Sequence, residues 1–450
     1  MKVRIKKILI LGFPLLAGRL SHYSHQVADS IMMGHFKDGS LELGALAIAG
    51  MFIWIVNTLL WPLGNGIQAI VTRRAGSRSE LGKAENQGTV MDHGMLTAFL
   101  VSLIALGVSF LAKPLFDQII SEEKIIDLAM KYVRLLRFSF FPFGIQMIIQ
   151  RFFNSIQKPK YGMIVSFISN GSNIILNYIF IYGKLGFPEM GISGAALGTV
   201  LSYWIGFLYM ITIALKQEYI SKYKFFHLRK IDRQLITNII KQALPPAIQN
   251  MLAMLIMLFY EAMIENIGAI YLAATHVVFS AFRINKTIVG GFSHGTAILV
   301  GNQLGADNKE GAKSFVHACY VIGLIIGACV FITVFFFPQY IARIFVSSES
   351  AIETVTMALK FFAPFYLAEI IGFSFEMVFI GNGNGKFVLY SEFVTNIIFI
   401  LGLTFINAQF WGGDIKIAWL GFGLYQVFHS TFLHIGFKTG RWANIDVETV

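Results

Sequence analysis

Asp29 is the residue of this sequence whose chemistry is hardest to explain by packing alone. It lies in the apolar run 26–34 (QVADSIMMG). If that run is a membrane helix, a charge at its centre costs roughly 2.5–3.5 kcal/mol on insertion scales. Such residues usually face a polar cavity and handle ions or protons. The sequence therefore predicts a cation- or proton-binding role for Asp29.

Two histidines and two asparagines have spacings that could add to this chemistry. His25 and His22 precede Asp29 by four and seven residues, so both can share its helix face. Histidine titrates near neutral pH and could relay protons, or it could be a hydrogen-bonded residue of a helix bundle. Asn173 and Asn177 are i,i+4 neighbours. Their amides could bind a cation through oxygen, or tie two helices together.

A second set of ionisable residues lies in the apolar segments of the C-terminal half. Its acids could form buried salt bridges with its bases, or one acid could meet a cationic substrate. If the two bases are not fully paired, an anionic or zwitterionic substrate becomes plausible. The set comprises Glu261, Glu265, Glu369, Glu376, Arg283 and Lys286.

The composition indicates which elements must position these residues. The chain has 450 residues, of which 56% are hydrophobic and 14% charged, against about 25% charged in soluble domains. Apolar stretches long enough to cross a hydrocarbon core of about 30 Å recur from end to end. We predict an all-α membrane protein with twelve transmembrane helices, at approximately 8–34, 43–72, 88–112, 126–153, 161–183, 191–216, 236–266, 269–303, 313–337, 351–381, 386–408 and 414–436.

Basic residues are distributed unevenly between the two sides of these spans. The even-to-odd turns and both termini are rich in lysine and arginine, and the odd-to-even turns are poor in them. Cytoplasmic loops usually carry this excess, so both termini are expected in the cytoplasm. The net charge of +11 then reflects orientation, and we expect no nucleic-acid partner.

The two halves of the chain repeat each other. Pro14 corresponds to Pro245, and Pro114 to Pro338; Asn154 corresponds to Asn382 at a similar offset. Recurrence at a near-constant offset indicates duplication. Because each half has six spans, both insert with the same orientation, and the lobes are related by a pseudo-twofold axis along the membrane normal. We expect an N-lobe at 1–218, a cytoplasmic linker at 219–235 and a C-lobe at 236–450, with a cleft between the lobes.

Several strings of the sequence resemble the multidrug and toxic compound extrusion (MATE) transporters, and most closely the NorM-type bacterial branch. The resemblance covers the whole chain and rests on the strings at 27–34 (VADSIMMG), 173–183 (NIILNYIFIYG), 191–199 (GISGAALGT) and 300–306 (VGNQLGA). It implies efflux of bulky organic cations driven by inward Na⁺ or H⁺. It also implies that the acid of the first span binds the coupling ion with help from spans five and six.

Carried over to this chain, that cation site comprises Asp29, Asn173, Asn177 and Thr199. Carboxylate, amide and hydroxyl oxygens are hard donors and suit Na⁺ at Asp29, Asn173 and Asn177. Alternatively, Asp29 carries a proton. Some family members have a second acid at the position of Asn177, and its absence here favours Na⁺ slightly.

The second half departs from the NorM-type pattern at two positions. That branch has a glutamate in span seven and an aspartate in span ten, where this sequence has Ala253 and Ile371. The C-lobe cation site of that branch is therefore not reproduced residue for residue. Glu261, Glu369 and Glu376 lie nearby as possible substitutes.

Taken together, these features predict a cation-coupled antiporter that exports amphipathic, cationic organic compounds by alternating access. The alternative within the same superfamily is a flippase for lipid-linked or polysaccharide precursors, which the basic pair Arg283 and Lys286 would favour. A non-transporting receptor or scaffold is disfavoured by the repeat and by the buried acid. We expect no enzyme activity, no cofactor besides the coupling ion, and a monomer among lipids of a bacterial inner membrane.

Overall fold

A computed structural model describes residues 1–36, 39–227 and 230–448. These residues form nineteen α-helices and no strand. The helices are α1 Lys2–Gly34, α2 Gly39–Asn57, α3 Leu63–Gly76, α4 Ala84–Ser109, α5 Ala112–Ile119, α6 Glu123–Leu136, α7 Phe140–Ser155, α8 Lys160–Ile181, α9 Ile192–Ala214, α10 Gln217–Tyr223, α11 Arg233–Ile267, α12 Ala269–Gly305, α13 Lys309–Phe336, α14 Pro338–Phe345, α15 Glu349–Phe362, α16 Phe365–Gly381, α17 Gly385–Thr395, α18 Thr404–Phe410 and α19 Ile415–Lys438.

Each predicted span coincides with one helix or with one interrupted helix. The second span is broken between α2 and α3 at Pro62, which directly precedes the first residue of α3. The tenth is the pair α15 and α16, bent by 54° next to Pro364. The eleventh contains a π-helical stretch, Asn396–Leu403. Proline removes a backbone donor, and π-helical turns insert an extra residue, so breaks are expected at such points.

Among the described residues, seven helical stretches are long and apolar enough to cross a membrane, and the bent pair makes eight. The other long helices contain polar residues in their apolar runs. Helix α1 contains Arg19 and Asp29, and α12 contains Arg283 and Lys286. The all-helical membrane fold is therefore confirmed, and α1 and α12, which are not among these apolar stretches, carry the candidate residues Asp29, Arg283 and Lys286.

The chain packs as two compact units, whose boundaries fall inside two long helices. The N-unit comprises Ala17–Ala247 and Glu448, and the C-unit comprises Met1–Leu16 and Ile248–Val447. Helices α1 and α11 therefore each contribute residues to both units. The lobe and linker boundaries predicted from the repeat stay a prediction, and residues 228–229 of that linker lie outside the described residues.

The C-unit has two hydrophobic cores. One is built around the fully buried Trp419, Tyr366 and Phe362. The other surrounds Phe379 and Trp442. In the N-unit, α8 and α9 pack closely because glycines of α9 lie directly against α8; a Cβ on Gly194, for example, would approach the backbone of Phe180. This close packing positions the polar side chains of α8 and α9 next to each other.

Helix α4 holds the segment that precedes α11. The Asp92 carboxylate accepts hydrogen bonds from the backbone N–H groups of Phe226 at 3.0 Å and His227 at 3.1 Å. The neighbouring His93 Nε2 accepts the backbone N–H of Asp232 at 2.9 Å. His93 Nδ1 donates to the Thr89 carbonyl at 2.8 Å, so both ring nitrogens are engaged. The segment is thus attached to α4 through backbone amides.

Candidate functional site

Asp29 lies in the N-unit part of α1, where its carboxylate meets α8. Asn177 Nδ2 donates to Asp29 Oδ1 at 2.7 Å. The Asp29 side chain is 14% exposed and Asn177 is fully buried. A hydrogen bond to a charged acceptor in such surroundings contributes more than one between neutral groups. The acid that the sequence singled out therefore has a specific amide partner.

The four residues predicted as a cation site are connected in one hydrogen-bonded chain. Asn177 Nδ2 also lies 3.3 Å from Asn173 Oδ1, and Asn173 Nδ2 donates to Thr199 Oγ1 at 3.0 Å. The Thr199 hydroxyl donates in turn to the Ala195 carbonyl at 2.9 Å. The structure therefore brings Asp29, Asn173, Asn177 and Thr199 together. Their role in binding an ion stays a prediction.

One oxygen in this cluster lacks a donor. Asn177 Oδ1 is buried and accepts no hydrogen bond from the described residues. Its position is set by Gly198, since a Cβ at residue 198 would run into that oxygen. Leaving a buried acceptor unsatisfied costs about 1–3 kcal/mol. Asn177 faces the Asp29 carboxylate and Asn173 Oδ1 with its NH₂ group, so a turn of this amide is needed before its oxygen joins those two as a ligand for a hard monovalent cation.

His25 is the second titratable group next to Asp29. Its Nε2 lies 4.0 Å from Asp29 Oδ2. Its Nδ1 lies 2.8 Å from the His22 carbonyl, which can only accept, so Nδ1 carries the proton of the neutral ring. Nε2, the other ring nitrogen, then faces the carboxylate. His22 stacks obliquely on His25, with ring centroids 5.0 Å apart, and the proton relay stays a prediction for both.

Two tyrosines near this site were not anticipated. Tyr132 of α6 is 7% exposed and lies close enough to Thr199 for an electrostatic interaction. The charge of Asp29 acts on both Tyr132 and Tyr203. Tyr203 lies four residues after Thr199 on α9, a spacing that could have indicated a shared face. No pattern in the sequence distinguishes Tyr132.

Some of the ionisable residues of the C-unit form a network around the buried Glu369. Lys286 Nζ lies 3.8 Å from Glu369 Oε1, and Asn285 Nδ2 donates to Glu369 Oε2 at 2.7 Å. The Glu369 side chain is 1% exposed. A buried carboxylate needs such partners, because its desolvation costs several kcal/mol. Of the salt bridges suggested by the sequence, the structure contains the one between Lys286 and Glu369.

Glu376 belongs to the same region but has different partners. Gln249 Nε2 donates to Glu376 Oε1 at 2.9 Å and also to Glu392 of α17. The Tyr425 hydroxyl donates to Glu392 Oε1 at 3.3 Å. Glu392 and Gln249 were missed by sequence reasoning. Glu392 is an acid in an apolar span, with the polar residues Thr395 and Asn396 three and four positions later, and this pattern could have indicated it.

Glu261 and Arg283 lie outside this network. Glu261 is 3.9 Å from His276 Nδ1, with 29% of its side chain exposed. Arg283 is exposed and donates to the Ser280 hydroxyl of its own helix at 3.1 Å. Within the described residues neither is paired with Lys286 or Glu369. Glu261, Arg283 and the Glu369–Glu376 group therefore do not form one charge cluster.

An all-helical chain with apolar spans throughout and ionisable residues buried in both units has the features of a multi-pass membrane protein. A family model for MatE matches residues 14–179 and 245–406. The chain belongs to the MatE family: it is a membrane transporter and not an enzyme. The two matched segments cover corresponding parts of the two halves.

Relatives and solved structures agree with this assignment. A protein described as a probable multidrug resistance protein NorM from Thermotoga maritima is 24% identical over 449 residues, covering 99% of this chain and 94% of that protein. A MOP-superfamily transporter from Pyrococcus furiosus has the same fold, with a TM-score of 0.86, 20% identity and coverage of 97% and 95%. A MATE structure in its bent conformation gives a TM-score of 0.87 at 20% identity, with the same coverage.

Proposed function

We propose that this chain is a cation-coupled antiporter that exports amphipathic organic cations, including drugs, by alternating access. The coupling ion is Na⁺ or H⁺, and it binds at Asp29. The observation that carries the proposal is the Asp29 carboxylate held by Asn177 beside a buried amide oxygen that has no donor among the described residues. The relatives of this chain include proteins described as multidrug resistance proteins.

The oxygen donors around Asp29 support Na⁺ as the ion. The Asp29 carboxylate provides the negative charge, Asn173 Oδ1 provides a neutral oxygen, and Asn177 Oδ1 provides a second once its amide turns toward the ion. Such a set compensates part of the hydration shell that a hard cation loses on entering the protein. A bound cation would also satisfy Asn177 Oδ1, which removes the cost of leaving that acceptor unpaired.

The position of His25 supports H⁺ as the ion. With its Nδ1–H directed to the His22 carbonyl, Nε2 is free to take a proton and would then form an ion pair with Asp29 Oδ2, 4.0 Å away. Protonating Asp29 itself would supply a hydroxyl donor. Both coupling ions thus act by neutralising the same carboxylate, so the two would compete.

The charge balance of the C-unit supports cationic substrates. Three acids lie close together in this region: Glu369, Glu376 and Glu392. Among the described residues one lysine, Lys286, lies against them, and its ammonium group is opposite Glu369. A flippase for phosphate-bearing precursors would need uncompensated positive charge in this region. The flippase reading is therefore less well supported than cation export.

We further propose that the transporter works as a monomer in a bacterial inner membrane, with both termini in the cytoplasm and no resident cofactor. The support for this orientation is the excess of lysine and arginine in alternate turns of the sequence.

The proposal is tested by efflux from proteoliposomes with Na⁺ and H⁺ gradients imposed separately, using ethidium as the fluorescent cation. Asp29→Asn removes the charge and keeps the shape, so we expect no gradient-driven efflux from this variant although it folds normally. Asp117→Asn is the matched control, because Asp117 is exposed and paired with Lys113. Efflux by Asp29→Asn at the rate of the control would disprove the mechanism.

A further inference from the structure

Three buried tyrosines form a cluster where α7, α8, α9 and α10 end or begin. Tyr161 of α8 and Tyr219 and Tyr223 of α10 are 7%, 2% and 5% exposed. The hydroxyls of Tyr161 and Tyr219 are 2.8 Å apart and hydrogen-bonded. Phe153 packs edge-on against both rings, with centroid distances of 5.3 and 4.9 Å. This tyrosine cluster is rigid because its rings are packed on several sides.

Four lysines are arranged around the tyrosine cluster. Each ammonium group lies over a ring face, a contact worth about 0.5–1 kcal/mol when exposed. Lys158 Nζ also donates to the Tyr219 hydroxyl at 2.8 Å. The distances from Nζ to the ring centroid are 4.5 Å for Lys158 over Tyr219, 5.0 Å for Lys160 over Tyr161, 5.9 Å for Lys216 over Tyr161 and 5.2 Å for Lys222 over Tyr223.

These lysines carry an excess of positive charge. Lys224, the next base along the chain, is ion-paired with Glu85 and contributes nothing to it. The acid that falls within the short helix α10 is Glu218. An ammonium group has three donors; Lys158 uses one of them on the Tyr219 hydroxyl, and the ring contacts of the other three lysines use none. The arrangement offers several N–H donors to one anionic group.

An exposed apolar surface continues from the lysines along the membrane-spanning helices. On α8, Phe167 lies seven residues after Lys160 on the same face and is 53% exposed. On α9, Leu208 and Leu215 precede Lys216 and are 57% and 50% exposed. Seven residues of helix advance about 10 Å, so this surface reaches into the depth of the acyl chains. A soluble phosphate would make no use of it.

We propose that the four lysines bind the phosphate headgroup of an anionic phospholipid whose acyl chains lie along α8 and α9. The chemistry is charge-assisted hydrogen bonding from ammonium groups to phosphate oxygens, combined with burial of the apolar surface that ends at the lysines. The site is separate from the cation site at Asp29 and does not depend on which ion or substrate is transported.

The test uses the purified full chain in detergent, with thermal unfolding followed at increasing concentrations of phosphatidylglycerol, phosphatidylcholine or inorganic phosphate. We expect phosphatidylglycerol to raise the melting temperature at lower concentration than phosphatidylcholine. The triple variant Lys160→Gln, Lys216→Gln, Lys222→Gln should weaken the apparent affinity for phosphatidylglycerol about a hundredfold, because each basic residue near an anionic lipid contributes a factor of about five.

The matched control removes the same charge from three exposed lysines elsewhere in the N-unit, by Lys124→Gln, Lys131→Gln and Lys184→Gln. It should keep the preference for phosphatidylglycerol. Tyr219→Phe, which removes the hydroxyl that anchors Lys158, should weaken binding less than the triple variant. Equal affinities in the triple variant and its control would overturn the site. Competition by inorganic phosphate at the concentrations effective for phosphatidylglycerol would overturn the choice of a lipid.

Discussion

Replacing Gly198 by alanine tests the cation site without changing any residue that would bind the ion. The added Cβ would overlap Asn177 Oδ1 and lie 3.0 Å from the Asn177 backbone nitrogen and 3.1 Å from its Cγ. Because α8 and α9 pack closely, the side chain of Asn177 must move. Its 2.7 Å hydrogen bond to Asp29 Oδ1 would then be lost.

The size of the effect follows from the bond that is broken. A hydrogen bond to a charged group contributes about 1.5–3 kcal/mol, which corresponds to roughly a tenfold to hundredfold change in the affinity of the carboxylate for the coupling ion. Overpacking adds about 1–3 kcal/mol of destabilisation. If Na⁺ is the ion and needs the oxygen of Asn177, we therefore expect Gly198→Ala to need at least ten times more Na⁺ for half-maximal ethidium efflux in proteoliposomes. If H⁺ is the ion, the carboxylate that has lost its donor is more easily protonated, and half-maximal efflux should move to a pH at least one unit higher.

Gly171→Ala is the matched control for this experiment. Gly171 lies on α8, two residues before Asn173, and a Cβ there would meet no atom within 4 Å. Alanine is favoured over glycine in a helix by up to about 1 kcal/mol, so this variant should transport normally and unfold at a slightly higher temperature. If both variants show the ion dependence of the original protein, the position of Asn177 does not matter for coupling and our reasoning is refuted.

Three further predictions concern stability. Lys286→Met leaves the buried Glu369 without its ammonium partner and should lower the unfolding free energy by about 3 kcal/mol. This is modest for a broken buried pair because the two groups are 3.8 Å apart. Adding Glu369→Gln should recover most of the loss in thermal unfolding, and no recovery would contradict the pairing. Asp92→Ala removes both carboxylate acceptors for the backbone N–H groups of residues 226 and 227. Limited proteolysis between residues 224 and 232 should become faster. An unchanged cleavage rate would count against the attachment to α4. Burial raises the pKa of Tyr219, so its hydroxyl ionises less readily in the folded chain than in the unfolded chain. The free energy of unfolding should therefore fall as pH rises beyond about 10. Tyr219→Phe should show a shallower fall if this group is responsible.

The fold was largely predictable because a membrane imposes a single requirement on helices. Apolar runs of sufficient length mark them, and all twelve predicted spans coincide with helices. The breaks were less predictable. Pro62 and Pro364 mark the breaks after α2 and α15, but the π-helical stretch of the eleventh span has no such marker and depends on packing between helices. A local pattern contains no information about those contacts.

The candidate site was predictable to the extent that its residues were unusual in their helices. Asp29 stood out as a charge in an apolar run, and Asn173 and Asn177 stood out by their spacing. Thr199 was found through the family resemblance. Glu392 is also a charge in an apolar run and could have been found, although its partner Gln249 could not. Nothing local marks Tyr132, because its neighbour Thr199 lies on a helix distant in sequence. One helix can indicate its own polar face, but it cannot indicate which residues of other helices meet that face.

The attachment of the segment before α11 has a consequence for how freely that segment can change. Asp92 and His93 contact it through the backbone N–H groups of Phe226, His227 and Asp232. Every amino acid except proline supplies such a group. Most side-chain replacements at these three positions should therefore be tolerated by the attachment. Proline at 227 or 232, or a change of length that shifts the amides along the chain, should detach it.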